Sequence, residues 1–327
     1  MASFSVPSSD EIRALCPGFY LGSDSVPDNF KFVNSRDYKA SVLVSTKAVD
    51  EPIEFWGVFK ISKDGFTFTP TAGYDMSNKP AYDNHKDDAQ CWLNIRPAVN
   101  LLAHTHETVL DGTLQDWKKY VSTVRTLESQ FKDTRKATSS GIEHQSILIE
   151  DWGIKISHKF LTEKPESAKR DSSDEDSETE TGGLPCDIQP NRRQDLTSFT
   201  EFTLEKWPVP DSWSDARETL LERNYAIRPL QAYLHGKTEL IRPSRYERKL
   251  KGAIAHVSFI LLAYNFEKDK RVRFSAVARR ITVLVPPKTV KIGNSPQKRK
   301  ESDTTEEPVP KKVKTTPAEE KEETTDK

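Results

Sequence analysis

The fold is decided by two long apolar stretches near the end of the chain, AIAHVSFILLAYNF at residues 253–266 and RVRFSAVARRITVLV at residues 271–285. In the first stretch, apolar positions alternate with a second set of side chains, Val257, Phe259 and Leu261 against Ser258, Ile260 and Tyr264. Such alternation in residues rich in β-branched and aromatic side chains is typical of a β-strand. The short charged turn EKDK, residues 267–270, then returns the chain into the second stretch. The sequence therefore predicts two long strands joined by a turn.

Most of the other patterned segments also predict strands. They are residues 30–33, 40–45, 55–61, 65–69, 145–149, 153–160, 198–204 and 225–234. Two segments predict helices, one because Leu114, Trp117, Val121, Val124, Leu127 and Phe131 have helical spacing, and one at residues 211–224, which begins with Asp and Ser cap candidates. A parallel α/β fold would need repeated alternation of strands and helices. We therefore expect a mainly β fold, a mixed β-barrel with one or two inserted helices.

The 327 residues suit one or two domains. Residues 163–195 form a polar gap, in which residues 171–180 contain six acids, and we expect this insertion to be disordered. The tail, residues 288–327, has ten basic and nine acidic residues and no aromatic residue, which also predicts disorder. We expect one domain over residues 1–287. The alternative is two small β domains divided at the gap.

Several classes of protein are disfavoured by the sequence. No apolar run approaches the roughly 18 residues that a membrane-spanning helix needs. Residues 1–11 lack the basic start and apolar stretch of a signal peptide. Cys16, Cys91 and Cys186 are odd in number and far apart, which argues against a disulfide framework. We expect an intracellular protein without a membrane partner.

The formal net charge of −1 hides a strongly basic segment, because residues 242–280 carry eleven Lys or Arg against three acids. Aromatic residues are interleaved with these cations. Cations that follow phosphates and rings that stack on bases are typical of single-stranded nucleic-acid binding. The predicted contact residues are Arg242, Arg245, Tyr246, Arg248, Lys249, Lys251, Tyr264, Lys268, Lys270 and Arg271. The alternative is that Phe259, Phe266 and Phe274 belong to the core and the charges form a solvated rim.

The same region resembles a known family. Residues 225–285 contain a His-Gly-Lys turn at 235–237, a basic connection, a Gly-led strand that reaches Tyr264, a turn and a last strand with Val283 and Leu284. This order is similar to the C-terminal part of the replication single-stranded-DNA-binding proteins of podovirus-type bacteriophages. The resemblance implies an OB-like β-barrel that binds single-stranded DNA in replication, recombination or mobile-element biology. The family has an acidic tail ending in Phe, whereas in this sequence the acidic block is internal, at residues 171–180, and residues 288–327 have mixed charge and end in Lys327.

The tail contains two basic clusters separated by ten residues. They are Lys298, Arg299 and Lys300, followed by Lys311, Lys312 and Lys314. This spacing is typical of a bipartite nuclear localisation signal, whose clusters occupy two acidic pockets of an import receptor. The sequence thus predicts a nuclear protein with an import receptor as partner. A solvated charged tail without that role is the alternative.

The enzyme hypothesis depends on His104 and His106. Two His at i and i+2 on a strand point the same way and could chelate the metal of a nuclease. No phosphate-loop, Gly-x-Gly-x-x-Gly or Gly-x-Ser-x-Gly sequence occurs. We expect no cofactor, no resident metal and no enzymatic activity. A non-catalytic nuclear interaction or chromatin scaffold is the main alternative to nucleic-acid binding, and a homo-oligomer is compatible with either function.

Overall fold

A computed structural model describes residues 18–105, 113, 115–133, 143–164, 200–266 and 268–288. These residues form a twelve-stranded mixed sheet and a separate pair of strands. The strands are β1 (Phe19–Tyr20), β2 (Phe30–Ser35), β3 (Ala40–Ser45), β4 (Ala48–Pro52), β5 (Phe55–Ile61), β6 (Ala98–Leu102), β7 (Glu143–Gln145), β8 (Leu148–Ile149), β9 (Gly153–Ser157), β10 (Leu161–Glu163), β11 (Tyr225–Ile227), β12 (Ala232–Leu234), β13 (Ile254–Phe266) and β14 (Arg271–Val285). The α-helices are α1 (Asp88–Asn94), α2 (Trp117–Asp133), α3 (Ser214–Glu222) and α4 (Tyr246–Leu250). Short 3-10 turns lie at Met76–Asn78, Ala81–Asp83, Thr200–Phe202, Asp211–Trp213 and Pro243–Arg245.

Five strands close into a barrel. Strand β5 pairs with β6, β6 with β9, β9 with β14, β14 with β13, and β13 with β5 again. In chain order the ring therefore runs first, second, third, fifth, fourth, and its third and fifth strands are parallel. This is the connectivity of an OB-like barrel. The predicted fold class, mainly β with inserted helices, is confirmed.

Strands from both sides of residues 163–195 take part in this ring. Strands β5, β6 and β9 precede that segment, and β13 and β14 follow it. One continuous core joins them, with buried residues from Leu21 to Val283 in the same cluster. The described parts on either side of the gap thus share one hydrophobic interior.

The two long strands predicted from the sequence are the backbone of the barrel. Strands β13 and β14 pair from Ile254↔Val285 to Phe266↔Arg271, with register shifts that bend the pair. Because side chains alternate across a strand, Val257, Phe259 and Leu261 enter the core. The opposite face of β13 carries Ile260 and Leu262, which pack in a smaller cluster against β3.

Helix α2 packs its apolar stripe into the barrel core, as its predicted spacing requires. Val124, Leu127 and Phe131 are buried there. Gly57 of β5 leaves room for two rings, because a Cβ at this position would lie 2.7 Å from the Phe59 ring and 3.1 Å from the ring of Tyr120 on the helix. The Tyr120 hydroxyl accepts a hydrogen bond from the Val58 N–H at 3.2 Å, which ties the helix to the strand.

Several predicted elements are wrong. Residues 65–69 form no strand, and the segment 198–204 contains the 3-10 turn Thr200–Phe202. The segment 225–234 is two short strands, β11 and β12. The barrel strand β6 and the helices α1 and α4 were not predicted. The acidic residues 171–180 and the tail from residue 289 lie outside the described residues.

Candidate nucleic-acid interface

The turn between β13 and β14 brings aromatic and basic side chains together. The rings of Tyr264 and Phe266 are nearly parallel, with centroids 6.5 Å apart and an interplanar angle of 23°. The Arg271 guanidinium lies 5.3 Å from the Phe266 ring centre, within cation–π distance. We call this surface the turn patch, and its members are Tyr264, Phe266, Lys268, Lys270, Arg271 and Arg273.

Strand geometry explains why these rings face outward. Tyr264 and Phe266 continue the face of β13 opposite to the core-facing Val257, Phe259 and Leu261. Phe266 is 38% exposed, a large value for a phenylalanine ring. The turn is closed by a hydrogen bond from the Asp269 N–H to the Phe266 carbonyl at 3.1 Å. The strand end therefore exposes the Phe266 ring, whereas the Tyr264 ring beside it is half-buried against the smaller apolar cluster of β3 and β13.

The turn patch is electropositive. Lys268, Lys270 and Arg273 are exposed, and none of the three forms an ion pair with a carboxylate among the described residues. Asp269 lies 3.8 Å from the Arg271 guanidinium. Burial raises the pKa of the Tyr264 hydroxyl, while the nearby charges of Arg96 and Arg273 act in the opposite direction. Several cations thus surround the stacked rings.

The other predicted cations lie at the opposite end of β13. They are Arg242, Arg245, Arg248, Lys249 and Lys251, which we call the helix patch, on the 3-10 turn Pro243–Arg245 and helix α4. Strand β13 has 13 residues, so at roughly 3.3 Å per residue the two patches are separated by about 40 Å of strand. Lys251 pairs with Glu247 at 2.7 Å, which compensates part of the charge. The predicted contact residues therefore form two surfaces rather than one.

Tyr246 is a correction to the predicted site. Its side chain is 0% exposed, so no ring face is available to a base. The ring stacks on Phe160 with centroids 6.2 Å apart and an interplanar angle of 17°, and the hydroxyl donates to the Leu230 carbonyl at 3.5 Å. Burial raises the pKa of this hydroxyl. Tyr246 and Leu250 lie four apart on α4 and are both buried, a helical spacing that the sequence contained.

His104, the described member of the predicted histidine pair, does not lie on a strand. Strand β6 ends at Leu102, before His104. His104 is 3% exposed, and its Nε2 lies 2.7 Å from the Thr113 hydroxyl oxygen. His106 lies outside the described residues. Among the residues with a described position, no group of three or more His, Cys, Asp or Glu side chains could hold a metal ion.

Two further observations concern the rest of the chain. The predicted import signal, Lys298 to Lys300 and Lys311 to Lys314, lies outside the described residues. Within the part of the chain that the structure describes, no helix has the length and apolar character needed to cross a membrane.

Sequence reasoning missed Arg96, because it lies some 170 positions before the turn patch in the chain. Arg96 lies two residues before the start of β6 at Ala98, and its charge acts on Tyr264. No local pattern around Arg96 predicts this proximity, because Arg96 and Tyr264 are connected only through the successive pairings of β6 with β9, β9 with β14 and β14 with β13.

Comparisons of the chain with protein-family models, with curated proteins and with solved structures gave no match. The resemblance to phage single-stranded-DNA-binding proteins therefore stays a prediction.

Proposed function

We propose that this protein is a non-catalytic binder of single-stranded nucleic acid and that the turn patch is its stacking surface. The observation that carries the proposal is the place of this patch in the barrel. It lies in the loop between the fourth and fifth strands of the ring. OB folds use this loop, together with the face of their second and third strands, to bind oligonucleotides.

The chemistry of the patch supports the same function. Each base has a flat face, so stacking on Tyr264 or Phe266 is tolerant of sequence and contributes roughly 1 to 3 kcal/mol per base. Lys268, Lys270 and Arg273 supply the positive charge that attracts phosphates. Bases in a duplex are already paired and stacked, so the rings favour a single strand.

Fluorescence anisotropy with a labelled oligonucleotide of about 30 nucleotides, several times one OB-fold site, tests the proposal. We expect binding to the single strand at low salt, a loss of affinity as salt rises, and weaker binding to the matched duplex. Absence of binding at low salt, or equal affinity for the duplex, would contradict the proposal.

We also propose that the two tail clusters direct the protein to the nucleus through an import receptor. The supporting observation is the ten-residue spacing between Lys300 and Lys311. A fluorescent fusion that lacks residues 296–314 should lose its nuclear enrichment. A fusion that stays nuclear without these residues would remove this part of the proposal.

The separation of the two patches favours a second candidate function, a nuclear interaction scaffold. The helix patch lies far along β13 from the stacked rings and carries its own acid, Glu247. A surface of mixed charge suits a protein partner better than a single-stranded nucleic acid. In the oligonucleotide titration, a scaffold would show no preference for single strands.

A further inference from the structure

Four cations from four separate segments meet where β9 ends. The His158 N–H donates to the Pro97 carbonyl at 2.9 Å, so Arg96 and Lys159 lie on neighbouring segments. The Arg228 N–H donates to the Phe160 carbonyl at 2.6 Å, which places Arg228 on the other side of Lys159. We call Arg96, Lys159, Arg228 and Arg279 the four-cation cluster.

Arg279 enters this cluster from β14. Strand β14 pairs in parallel with β9 up to Val277 beside Ser157, and Arg279 follows two residues later, close enough for its charge to act on His158. Its guanidinium donates to the Tyr38 hydroxyl and lies 5.7 Å from the centre of the Tyr38 ring. The tyrosine holds the cation in place without neutralising it.

His158 fixes the backbone beneath the cluster. Its side chain is 5% exposed, and Nε2 lies 2.9 Å from the Arg228 carbonyl. Because a carbonyl only accepts, Nε2 carries the proton in this hydrogen bond. Burial lowers the pKa of the ring to about 4, so His158 is neutral at pH 7 and adds no charge.

The four charges are not balanced by the protein. In the described parts of the chain, no carboxylate lies within ion-pair distance of any of the four. The charge of Glu163 acts on the pKa of Lys159 in the opposite direction to desolvation and Arg96, but less than they do, and Lys39 adds a further positive charge. Arg96 instead donates to two carbonyls, those of Leu93 at 2.7 Å and Ile95 at 3.0 Å, which fix its guanidinium and leave its charge intact.

Three members of the cluster have a lowered pKa. Partial removal of water lowers the pKa of Arg96, Lys159 and Arg228. The next cause is a neighbouring cation, Arg96 for Lys159 and Arg279 for Arg228. Like charges that the backbone forces together are stabilised by a bound anion.

We propose that the four-cation cluster is a binding site for a phosphate group. Guanidinium groups match the oxygens of phosphate in pairs, and three of the four cations are arginines. Arg96 acts on both Tyr264 and Lys159, so it connects this cluster to the turn patch. When the phosphate belongs to a nucleic-acid backbone, the site rests on the proposed function and extends the path of the strand beyond the stacked rings.

The test compares two double variants of the full chain that lose the same charge. Lys159→Gln with Arg228→Gln removes half of the cluster, whereas Lys31→Gln with Lys118→Gln removes two exposed lysines of β2 and α2. All four side chains reach solvent, so thermal melting should be unchanged in both variants. Each protein is titrated with a single-stranded oligonucleotide at several salt concentrations and, by calorimetry, with inorganic pyrophosphate.

We expect the cluster variant to flatten the slope of log affinity against log salt by about 1.4, since each lost phosphate contact removes about 0.7 for a single strand. It should also lose pyrophosphate binding, and the control variant should change neither quantity. If the parent protein binds pyrophosphate through the cluster but no oligonucleotide, the site stands for free phosphates and the proposed function fails. If the parent binds oligonucleotide and the two variants match it in slope and in pyrophosphate titration, the cluster proposal is overturned while the function stands.

Discussion

The two ends of β13 have similar compositions but opposite structures. At its start the helix patch surrounds Tyr246, whose ring is buried, and at its end the turn patch surrounds Phe266, whose ring is 38% exposed. Both ends combine Lys, Arg and aromatic residues. The difference lies in local geometry, because a helix buries residues four apart whereas a strand alternates its faces. Composition alone therefore locates charge but does not say which rings can receive a base.

Replacing Tyr246, the buried ring at the start of β13, by alanine should give the largest effect, a loss of folding stability. A buried aromatic ring replaced by alanine costs roughly 3 to 5 kcal/mol of folding stability. Phe266→Ala, the matched change at the exposed end, should cost less than about 1 kcal/mol. Urea denaturation of the two variants measures both values. Equal losses would show that the two rings are buried alike.

Folding stability should also depend on pH through His158, which packs against Phe160 next to the buried Tyr246 ring. Its ring lies 5.2 Å from that of Phe160, on which Tyr246 stacks. The pKa of His158 is lowered from 6.5 to about 4 by burial, so between these values the unfolded chain binds more protons. The contribution of His158 to folding stability is therefore fully present above pH 6.5. It falls by roughly 3 kcal/mol as the pH is lowered from 6.5 to about 4.

The variant His158→Gln keeps an N–H group for the Arg228 carbonyl and removes the titration. Urea denaturation between pH 7 and pH 4 should therefore show a shallower pH dependence than the parent protein. His85→Gln, at an exposed position, serves as the control and should reproduce the parent curve. His256 is also buried, with its pKa lowered to about 4, so part of the dependence should remain. An unchanged slope in His158→Gln would contradict the assignment.

The sequence predicted the barrel strands where the alternation was long, and failed where the contact between segments is limited to a single residue. The alternation in β13 and β14 specified their core faces correctly. At residues 65–69 the alternation of Phe66 and Phe68 also predicted a strand. There the Thr67 hydroxyl donates to the Ala98 carbonyl at 2.9 Å and accepts from the Ala98 N–H at 2.8 Å. The Thr67 backbone N–H donates to the same carbonyl at 2.9 Å. The contact with β6 is therefore limited to this one residue instead of a ladder, and Pro70 follows immediately after residue 69.

The candidate site was predictable in the same uneven way. The turn patch is contiguous in sequence, so its charge and rings could be read directly. Arg96, Lys159 and Arg228 are far apart along the chain and each is surrounded by unremarkable residues. Their approach depends on the register of β6 with β9 and on single backbone hydrogen bonds. Pairings of this kind between distant segments are not encoded in any local pattern.

The exposed ring of Phe266 should contribute to oligonucleotide binding, whereas the buried ring of Tyr246 contributes to folding stability. Replacing Phe266 by alanine should weaken binding to a single-stranded oligonucleotide by roughly 1 to 3 kcal/mol, with little change in the salt slope, because no cation is removed. Phe266→Trp keeps a stacking surface and should retain affinity. Anisotropy titrations at two salt concentrations measure both quantities. Full affinity in Phe266→Ala would exclude the turn patch as a stacking surface.

The smallest predicted effect compares the cations of the two ends directly. Lys268→Gln with Lys270→Gln and Arg245→Gln with Arg248→Gln each remove two positive charges from exposed positions. If the bound oligonucleotide follows the turn patch, the first pair of substitutions should flatten the slope of log affinity against log salt by about 1.4. Over a fourfold rise in salt, the variant would then lose about sevenfold less affinity than the parent protein. The second pair should leave the slope at the parent value, because the helix patch lies about 40 Å along β13 from Phe266 and makes no phosphate contact in the proposed binding mode. Equal flattening by both pairs would mean that the strand spans the length of β13, and flattening by the second pair alone would move the binding surface to α4.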